Sequence, residues 1–175
     1  MSPIVHLRFC KTEVVCVVLE RIGVPKSTLN IKEIMQRKAS AIWRGSLKDG
    51  KGSISTDSGT LKDTQYSFST RFENGTGTNP EELIAAAHSG CFAMAFSAEL
   101  GKVGLTPESI SATATVTLDK TNEGFTVTES HLDVTAKVPG ADKAKVQEIA
   151  NAAKAGCPIS RLLKANVTMD LKVEK

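Results

Sequence analysis

The alternation of hydrophobic and polar positions along the chain predicts six strands. Three fall in the first half, at 38–43, 53–56 and 65–70, and three in the second half, at 110–118, 125–138 and 167–173. Turn-forming glycine and serine residues separate the first three strands. We therefore predict an antiparallel meander, with Arg71 at the end of its third strand.

Between the two groups of strands the sequence predicts one long helix. Asn79 is a good N-cap, Pro80 occupies the first helical position and Glu82 completes a capping box. The helix is expected to extend to about Lys102. Residues 83–96 are nearly all small or apolar, and a helix that is apolar on every side is normally buried on every side. In a chain of 175 residues this favours enclosure by a sheet and by a partner subunit.

Two shorter helices are predicted before the last strand. Residues 141–155 form an amphipathic pattern that stops at Gly156, and Cys157-Pro158 then starts a short helix through Leu163. The order is three strands, a central helix, two strands, two helices and one strand. Antiparallel strands with segregated helices predict an α+β fold.

The first 34 residues do not share this pattern. They contain a short β-branched run, a break at 25–28, and Cys10 and Cys16, whose neighbours offer nothing that would make a site. One interpretation is an appendage that packs loosely or adds one strand or helix; another is that Met35 is the natural first residue. We predict an N-terminal appendage at 1–34 and a single domain at 35–175.

Composition and charge restrict the classes of function. The hydrophobic fraction of 41% is that of a globular chain. The net charge is +3, and residues 1–34 hold five basic and three acidic residues, which leaves seventeen basic and sixteen acidic residues in the predicted domain. This balance favours neither nucleic acid nor an anionic membrane as a partner.

Cysteine usage and the start of the chain indicate a reducing compartment. Four cysteines in 175 residues are too few for a disulfide framework. The apolar run at 14–19 is far shorter than the roughly 20 residues that span a bilayer, and Glu20 and Arg21 follow it instead of a small-residue cleavage site. The expected location is the cytoplasm, where a disulfide is more often transient than structural.

Cys91 and Cys157 are the main candidates for chemistry. Cys91 lies inside the predicted central helix, where a cysteine is most often an inert small hydrophobe. Cys157 is predicted at the N-cap of a helix, where free N–H groups and the positive end of the dipole favour a thiolate. A plain capping role explains Cys157 equally well. Contact between the two sulfur atoms would make them a redox pair, and the sequence leaves open whether they meet.

Arg71, Glu81 and His88 are further candidates, each with a simpler explanation. Arg71 also fits a solvated strand end, and the helix dipole favours Glu81 in the first turn without any function. His88, one helical turn before Cys91, would serve as a base, but a hydrogen-bonded core histidine is the commoner case. A zinc site made from Cys91, Cys157 and His88 lacks a Cys-x-x-Cys pair and an evident fourth ligand.

Three stretches of the chain carry a family resemblance. They are Thr70-Arg71-Phe72-Glu73, then Gly77-Thr78-Asn79-Pro80-Glu81-Glu82-Leu83-Ile84-Ala85-Ala86-Ala87-His88-Ser89-Gly90-Cys91-Phe92, and Ala155-Gly156-Cys157-Pro158-Ile159-Ser160. Together they closely resemble the OsmC/Ohr family, the osmotically inducible and organic-hydroperoxide-resistance proteins of bacteria. The resemblance covers about residues 36–174, and the position of Arg71 is similar to that in the OsmC branch.

The resemblance implies an intertwined α+β homodimer with a long buried central helix and two active sites at the interface. It implies that Cys91 is the peroxidatic cysteine and Cys157 the resolving one, with Arg71 and Glu81 completing the site. The implied activity is a thiol-dependent peroxidase that reduces organic hydroperoxides in oxidative and osmotic stress defence. No metal and no other cofactor is implied, and the reductant is an external dithiol, a lipoyl protein or a thioredoxin-like protein.

The physical chemistry agrees with this assignment. A free thiol with a pKa near 8.5 is only a few per cent thiolate at pH 7. Lowering the pKa by about two units needs roughly 2.7 kcal/mol, and one cation at about 4 Å supplies this at an effective dielectric constant near 20. Arg71 is the expected cation, and Glu81 the countercharge that orients it.

A second hypothesis belongs to a different class of function. It is a dimeric module that binds an apolar ligand between its central helices, with structural cysteines that only fill space. Thiol titration separates the two hypotheses, because packing cysteines are not consumed stoichiometrically by a hydroperoxide.

Overall fold

The computed structural model describes residues 35–174, and a compact unit begins at Lys38. Cys10, Cys16 and the rest of the predicted appendage lie outside the described residues. The strands are β1 (Ala39–Arg44), β2 (Lys51–Thr56), β3 (Thr64–Ser67), β4 (Ser109–Thr121), β5 (Gly124–Lys137) and β6 (Asn166–Glu174); the helices are α1 (Phe68–Phe72), α2 (Pro80–Lys102), α3 (Lys143–Gly156) and α4 (Pro158–Leu162). These elements confirm the predicted α+β fold with a long central helix.

The first sheet is the predicted antiparallel meander of β1, β2 and β3. Trp43, Gly52 and Tyr66 pair across its three strands, and the rings of Trp43 and Tyr66 lie 5.4 Å apart. A side chain at position 52 would collide with the Tyr66 ring. Glycine at this position therefore lets the two aromatic rings pack together over the middle strand.

The prediction that Arg71 ends the third strand is wrong. The strand stops at Ser67, and Arg71 lies in the short helix α1. Ser67 caps this helix: its hydroxyl accepts from the Thr70 N–H at 3.3 Å, and its own N–H donates to the Thr70 hydroxyl at 2.9 Å. This reciprocal pair ends the strand, although the alternation of Tyr66 and Phe68 continues the pattern of a strand through the cap.

The central helix α2 begins as predicted, with Asn79 as N-cap and Pro80 at its start. The Asn79 side chain accepts from the Glu82 N–H at 2.8 Å and donates to the Thr70 carbonyl at 3.0 Å. This second bond ties the start of α2 to α1. The carboxylate of Glu82 accepts from the Thr78 hydroxyl at 2.9 Å, so the predicted return arm of the capping box goes to Thr78 instead of the N-cap.

Within a single chain the central helix is buried along one stripe, whereas the predicted burial on every side includes a partner subunit. His88, Phe92, Phe96 and Leu100 are fully buried at a spacing of four residues. Met94 on another side is 77% exposed. By length and composition alone α2 is also apolar enough to cross a membrane, a property that core helices share. Enclosure of its remaining sides by a partner subunit stays a prediction.

The second sheet covers the buried stripe of α2 and has the order β4-β5-β6. β4 and β5 form a long antiparallel hairpin, but β6 runs parallel to β5. The prediction of purely antiparallel sheets therefore needs this correction. Two helices, α3 and α4, lie between β5 and β6 in the chain, and such a crossover returns the chain to the same end of the sheet.

The inward face of β5 supplies the centre of the core. Leu132, Val134 and Ala136 are buried there, and they alternate with outward-facing residues. The amphipathic helix α3 adds Val146 and Ala150 to the same core cluster. Cys157, at the junction of α3 and α4, belongs to the same core cluster. The fold thus places the end of α3 against the middle of α2.

Candidate active site

Cys91 and Cys157 lie side by side. Their sulfur atoms are 3.2 Å apart, although 66 residues separate them in the chain, and both thiols are free. The sulfur atoms of a disulfide are about 2.05 Å apart, so the pair is reduced and a small movement brings the two sulfurs to bonding distance. The contact that the sequence left open is therefore present.

The two cysteines differ in how the fold exposes them. Cys157 is fully buried, and its backbone is held at both sides: its N–H donates to Ala153 at 2.8 Å, and its carbonyl accepts from Arg161 at 3.0 Å. Cys91 precedes the buried Phe92 on α2 and remains partly exposed. Cys91 is therefore the sulfur that a molecule arriving from outside this chain meets first.

The two thiols also differ in acidity. Burial raises the pKa of Cys91; a backbone hydrogen bond from Ile159 opposes this, and the neighbouring Cys157 adds to it. Burial also raises the pKa of Cys157, but hydrogen bonds from Ser160, Cys91 and Ile159 together outweigh burial and bring this pKa below its ordinary value. Within one subunit, burial therefore disfavours the Cys91 thiolate, and hydrogen bonding favours the Cys157 thiolate.

Arg71 and Glu81 form an ion pair at the start of α2. Arg71 Nη2 donates to Glu81 Oε1 at 2.7 Å, and Arg71 Nε lies 3.1 Å from both carboxylate oxygens. The Glu81 side chain is 13% exposed and that of Arg71 37%, and the guanidinium carbon lies 5.2 Å from the centre of the Phe72 ring. Glu81 thus orients Arg71 as predicted, through charge-assisted hydrogen bonds.

The structure does not bring this ion pair to the cysteines of the same chain. Glu81 and Cys91 are ten residues apart on α2, so at 1.5 Å per residue their Cα atoms are separated by about 15 Å along the helix. Accordingly, Arg71 is not among the groups that shift the pKa of Cys91. The four predicted site residues form two separate pairs within one chain, and their sharing of one site stays a prediction.

A cavity of about 260 Å³ opens beside Arg71. Its lining is mostly apolar and includes Trp43, Leu47, Phe68 and Phe72. The sequence analysis missed this cavity, because its walls come from four separate elements and the loop after β1. Strand alternation identifies an aromatic residue as inward or outward, but it does not show which residues of other elements will face it.

His88 is held between two serine hydroxyls. It is fully buried, with Nδ1 2.7 Å from Ser130 Oγ and Nε2 2.9 Å from Ser160 Oγ. Burial lowers the pKa of His88, so the ring is neutral at pH 7. Both ring nitrogens are occupied, which matches the core-histidine interpretation and leaves neither free to take a proton from Cys91 directly or to bind a metal.

Ser130 and Ser160 are the residues of this neighbourhood that the sequence analysis missed. Ser160 follows Cys157 by three residues, and the sequence analysis names it only as the last residue of the third family stretch. Ser130 did carry a signal: it shares the inward parity of Leu132 and Val134 on β5, and a polar residue on an apolar face needs a partner. Its partner, His88, is 42 residues away, and alternation alone does not identify it.

The residues that the structure describes contain one group with metal-ligand spacing. Ligand atoms of His131, Asp133 and Asp170 lie within 4.8 Å of one another, on the side of β5 opposite to Ser130. Neither cysteine belongs to this group. The zinc alternative for Cys91 and Cys157 therefore gains no support from residues 35–174.

An α+β fold holds two free cysteines in contact, one on a central helix and one at a helix junction, which makes this pair the candidate dithiol site. Comparison with known families gives the closer assignment. The family model described as OsmC-like protein matches residues 73–172, a stretch that contains Glu81 and both cysteines. The chain belongs to this family, which confirms the resemblance seen in the three sequence stretches.

Individual relatives support the same family assignment. Peroxiredoxin OsmC of Escherichia coli (strain K12) is 49% identical over 140 residues, which cover 80% of this chain and 98% of that protein. Organic hydroperoxide resistance protein OhrB of Bacillus subtilis (strain 168) is 29% identical over 124 residues, 70% of this chain and 89% of that protein. The crystal structure of OhrB of Bacillus subtilis matches with a TM-score of 0.60 at 27% identity, covering 81% of this chain and 100% of that one.

Proposed function

We propose that this protein is a cysteine-based peroxidase that reduces organic hydroperoxides to alcohols in defence against oxidative stress. The observation that carries the proposal is the 3.2 Å contact between a partly exposed Cys91 and a buried Cys157. The names of the relatives, peroxiredoxin and organic hydroperoxide resistance protein, support the same reaction. We further propose the cytoplasm as its location, since a reducing compartment returns the pair to the dithiol.

In the proposed first step, the Cys91 thiolate attacks the terminal oxygen of the hydroperoxide. The oxygen–oxygen bond breaks, Cys91 becomes a sulfenic acid, and the alkoxide leaves and takes up a proton to give the alcohol. Cys157 then condenses with the sulfenic acid, releasing water and forming the Cys91–Cys157 disulfide. An external dithiol, a lipoyl protein or a thioredoxin-like protein, reduces this disulfide by thiol exchange.

We propose that the site is completed by a second subunit. Within one chain the pKa of Cys91 is raised, whereas a nucleophile needs a cation that lowers it. Glu81, which holds Arg71, is about 15 Å of helix away from Cys91 in its own chain, so we infer that the cation comes from another subunit. The exposed sides of the apolar α2, marked by Met94, provide a surface for such a partner. A homodimer would place the partner's Arg71, oriented by the partner's Glu81, beside Cys91.

The cavity beside Arg71 supports an organic substrate over hydrogen peroxide. Its walls of Trp43, Leu47, Phe68 and Phe72 are apolar and suit an alkyl or aryl group. In the proposed dimer this cavity lies, together with Arg71, beside the partner's Cys91. The peroxide end of the substrate then meets the cation and the thiolate, while its organic part enters the cavity.

The apolar-ligand module remains the second candidate, because the same cavity suits a ligand without chemistry. Peroxide consumption distinguishes the two. With dihydrolipoamide or thioredoxin as electron donor, we expect turnover of cumene hydroperoxide at least about tenfold more efficient than that of hydrogen peroxide, since burial of an aryl group contributes a few kcal/mol. Binding of cumene alcohol with no loss of thiols in cumene hydroperoxide would favour the ligand module.

Removal of residues 1–34 is expected to leave the dimer, the melting temperature and the peroxidase activity close to those of the full chain. The reason is that the described residues already contain the complete predicted α+β set of elements, from Ala39 to Glu174. Size-exclusion chromatography, thermal unfolding and peroxide consumption of the two proteins provide the comparison. Loss of the dimer or a large fall in melting temperature would show that the segment is an integral part of the domain.

A further inference from the structure

Phe125 lies at the tip of the β4–β5 hairpin, and its ring packs against the helix that carries Arg71. The centre of the Phe125 ring is 5.1 Å from that of Phe72, with 47° between the ring planes. Phe72 is the last residue of α1, and its ring centre lies 4.8 Å from that of Phe68 at the start of the same helix. A continuous series of ring contacts therefore joins α1 to the tip of the second sheet.

This series of contacts reaches Arg71 through Phe72. The guanidinium carbon lies over the Phe72 ring at 5.2 Å from its centre, which is within the range of a cation–π contact. Glu81 holds an edge of the same guanidinium, because its carboxylate accepts from Nε and Nη2. An aromatic ring thus fixes one face of the guanidinium, and a carboxylate fixes one edge.

The helix α1 is too short to hold Arg71 in place by itself. It has five residues, and a helix of this length is not stable through its own hydrogen bonds. Its start is fixed by the Ser67 cap and by the bond from Asn79 to the Thr70 carbonyl. The Phe125 ring packs against its other end, at Phe72. Removal of this ring should therefore loosen the end of α1 at which Arg71 lies.

The hairpin tip is built so that Phe125 keeps its place. Gly124 has a φ of +105°, a backbone conformation that favours glycine. The Thr121 hydroxyl donates to the Gly124 carbonyl at 3.0 Å and accepts from the Glu123 N–H at 3.2 Å. The Thr126 hydroxyl donates to the same carbonyl at 3.2 Å. The ring that this ordered tip presents is 60% exposed, so Phe125 is not a core residue.

We propose that Phe125 is a positioning residue for the peroxidase reaction, in which it fixes Phe72 and, through Phe72, the guanidinium of Arg71. The proposal rests on the proposed peroxidase function, in which Arg71 acts on the partner's Cys91. A guanidinium that is oriented in advance needs no reorganisation while negative charge develops on the leaving oxygen. A residue that only orients the cation can therefore change the rate of the first step.

Two simpler roles for Phe125 give different results. A residue that binds the organic part of the substrate would matter for cumene hydroperoxide and not for hydrogen peroxide. Phe72 lines the cavity beside Arg71, but Phe125 is not among its lining residues. A purely structural contact would slow the reaction whether or not Arg71 is present. A positioning residue should slow the reaction with both peroxides by the same factor, and only while Arg71 is present.

The test compares Phe125→Ala with Phe125→Tyr in the full chain, because alanine removes the ring and tyrosine retains it. Rapid mixing measures consumption of the first equivalent of cumene hydroperoxide or hydrogen peroxide, with Arg71 and in the Arg71→Met background. NMR of arginine labelled with nitrogen-15 follows hydrogen exchange of the Arg71 Nε–H, which donates to Glu81; loss of its signal in Arg71→Met identifies it. Val103→Ala is the matched control, because Val103 is also an exposed apolar residue but lies beyond the far end of α2.

We expect Phe125→Ala to slow the first turnover about fivefold with both peroxides and to speed exchange of the Arg71 Nε–H by a similar factor. Phe125→Tyr and Val103→Ala should stay within about twofold of the original protein in both measurements. In the Arg71→Met background, Phe125→Ala should change the rate by less than about twofold, because the group that it positions is already absent.

A loss confined to cumene hydroperoxide would overturn the proposal and assign Phe125 to substrate binding. The same fivefold loss in both backgrounds would overturn it in favour of a structural role, and unchanged rates or unchanged exchange of the Arg71 Nε–H in Phe125→Ala would also overturn it. The proposed peroxidase function fails separately, if the original protein consumes no hydroperoxide. In that case the exchange measurement still decides whether Phe125 holds the guanidinium in place.

Discussion

Cys91→Ser is expected to abolish peroxide turnover, whereas Cys157→Ser should still consume one equivalent of hydroperoxide and then stop. A serine hydroxyl is not ionised at neutral pH and does not accept oxygen from a peroxide. In Cys157→Ser the first step is intact, because Cys91 is the exposed member of the pair. Its sulfenic acid then has no partner, so it persists or proceeds to sulfinic acid.

Both outcomes are measured by the amount of hydroperoxide consumed before the reaction stops and by mass spectrometry of the Cys91 peptide. The two variants serve as controls for each other, since each retains one of two cysteines in contact. A single turnover in Cys91→Ser and none in Cys157→Ser would reverse the roles of the two residues. The acidity of the pair makes this a real alternative, because within one chain Cys157 is the more acidic thiol.

The second large effect is expected at Arg71. Arg71→Met removes the cation and should slow the first turnover at pH 7 by about one to three orders of magnitude, with the pH of half-maximal Cys91 alkylation moving upwards. Glu81→Gln should cost less, because Arg71 keeps its charge and loses only its orientation. The double change should add little to Arg71→Met, since residues that act as a unit are not additive.

Mixed dimers test whether Arg71 acts across the interface. A dimer of one Arg71→Met subunit and one Cys91→Ser subunit has one site with both original residues if Arg71 serves the partner's Cys91, and none if it serves its own. We therefore expect differently tagged, purified mixed dimers to recover about half of the original activity, although both parent dimers are impaired. Activity no higher than the average of the two parents would show that Arg71 does not act across the interface.

The local sequence pattern predicted most of the elements, because short stretches of sequence determine the N-cap of α2 and the alternation of β4 and β5. It failed at Phe68, where an aromatic residue continues the strand alternation although Ser67 and Thr70 have already started a helix. The signal was present as a serine followed three residues later by a threonine. Hydrophobic alternation outweighed it in the interpretation.

The site was predictable as far as its residue types and their placement on helices. The contact between Cys91 and Cys157 was not, since it depends on how the end of α3 packs against the middle of α2, 66 residues away in sequence. The hydrogen bonds of His88 to Ser130 and Ser160 are of the same kind. The pairing of Arg71 with Glu81 was predicted from the sequence. The separation of about 15 Å along the helix between Glu81 and Cys91 also follows from counting residues, but the sequence analysis did not use it. This count is the reason for the proposal of a second subunit.

The most direct measurement of the central claim is the covalent state of the cysteines after one equivalent of cumene hydroperoxide is added to the reduced full-length protein. Non-reducing digestion and mass spectrometry should show the Cys91 and Cys157 peptides joined, two hydrogens lighter than the separate thiols, with one equivalent of alcohol formed. Complete consumption of the hydroperoxide with this crosslink supports the peroxidase mechanism. Two free thiols and unconsumed hydroperoxide would contradict it.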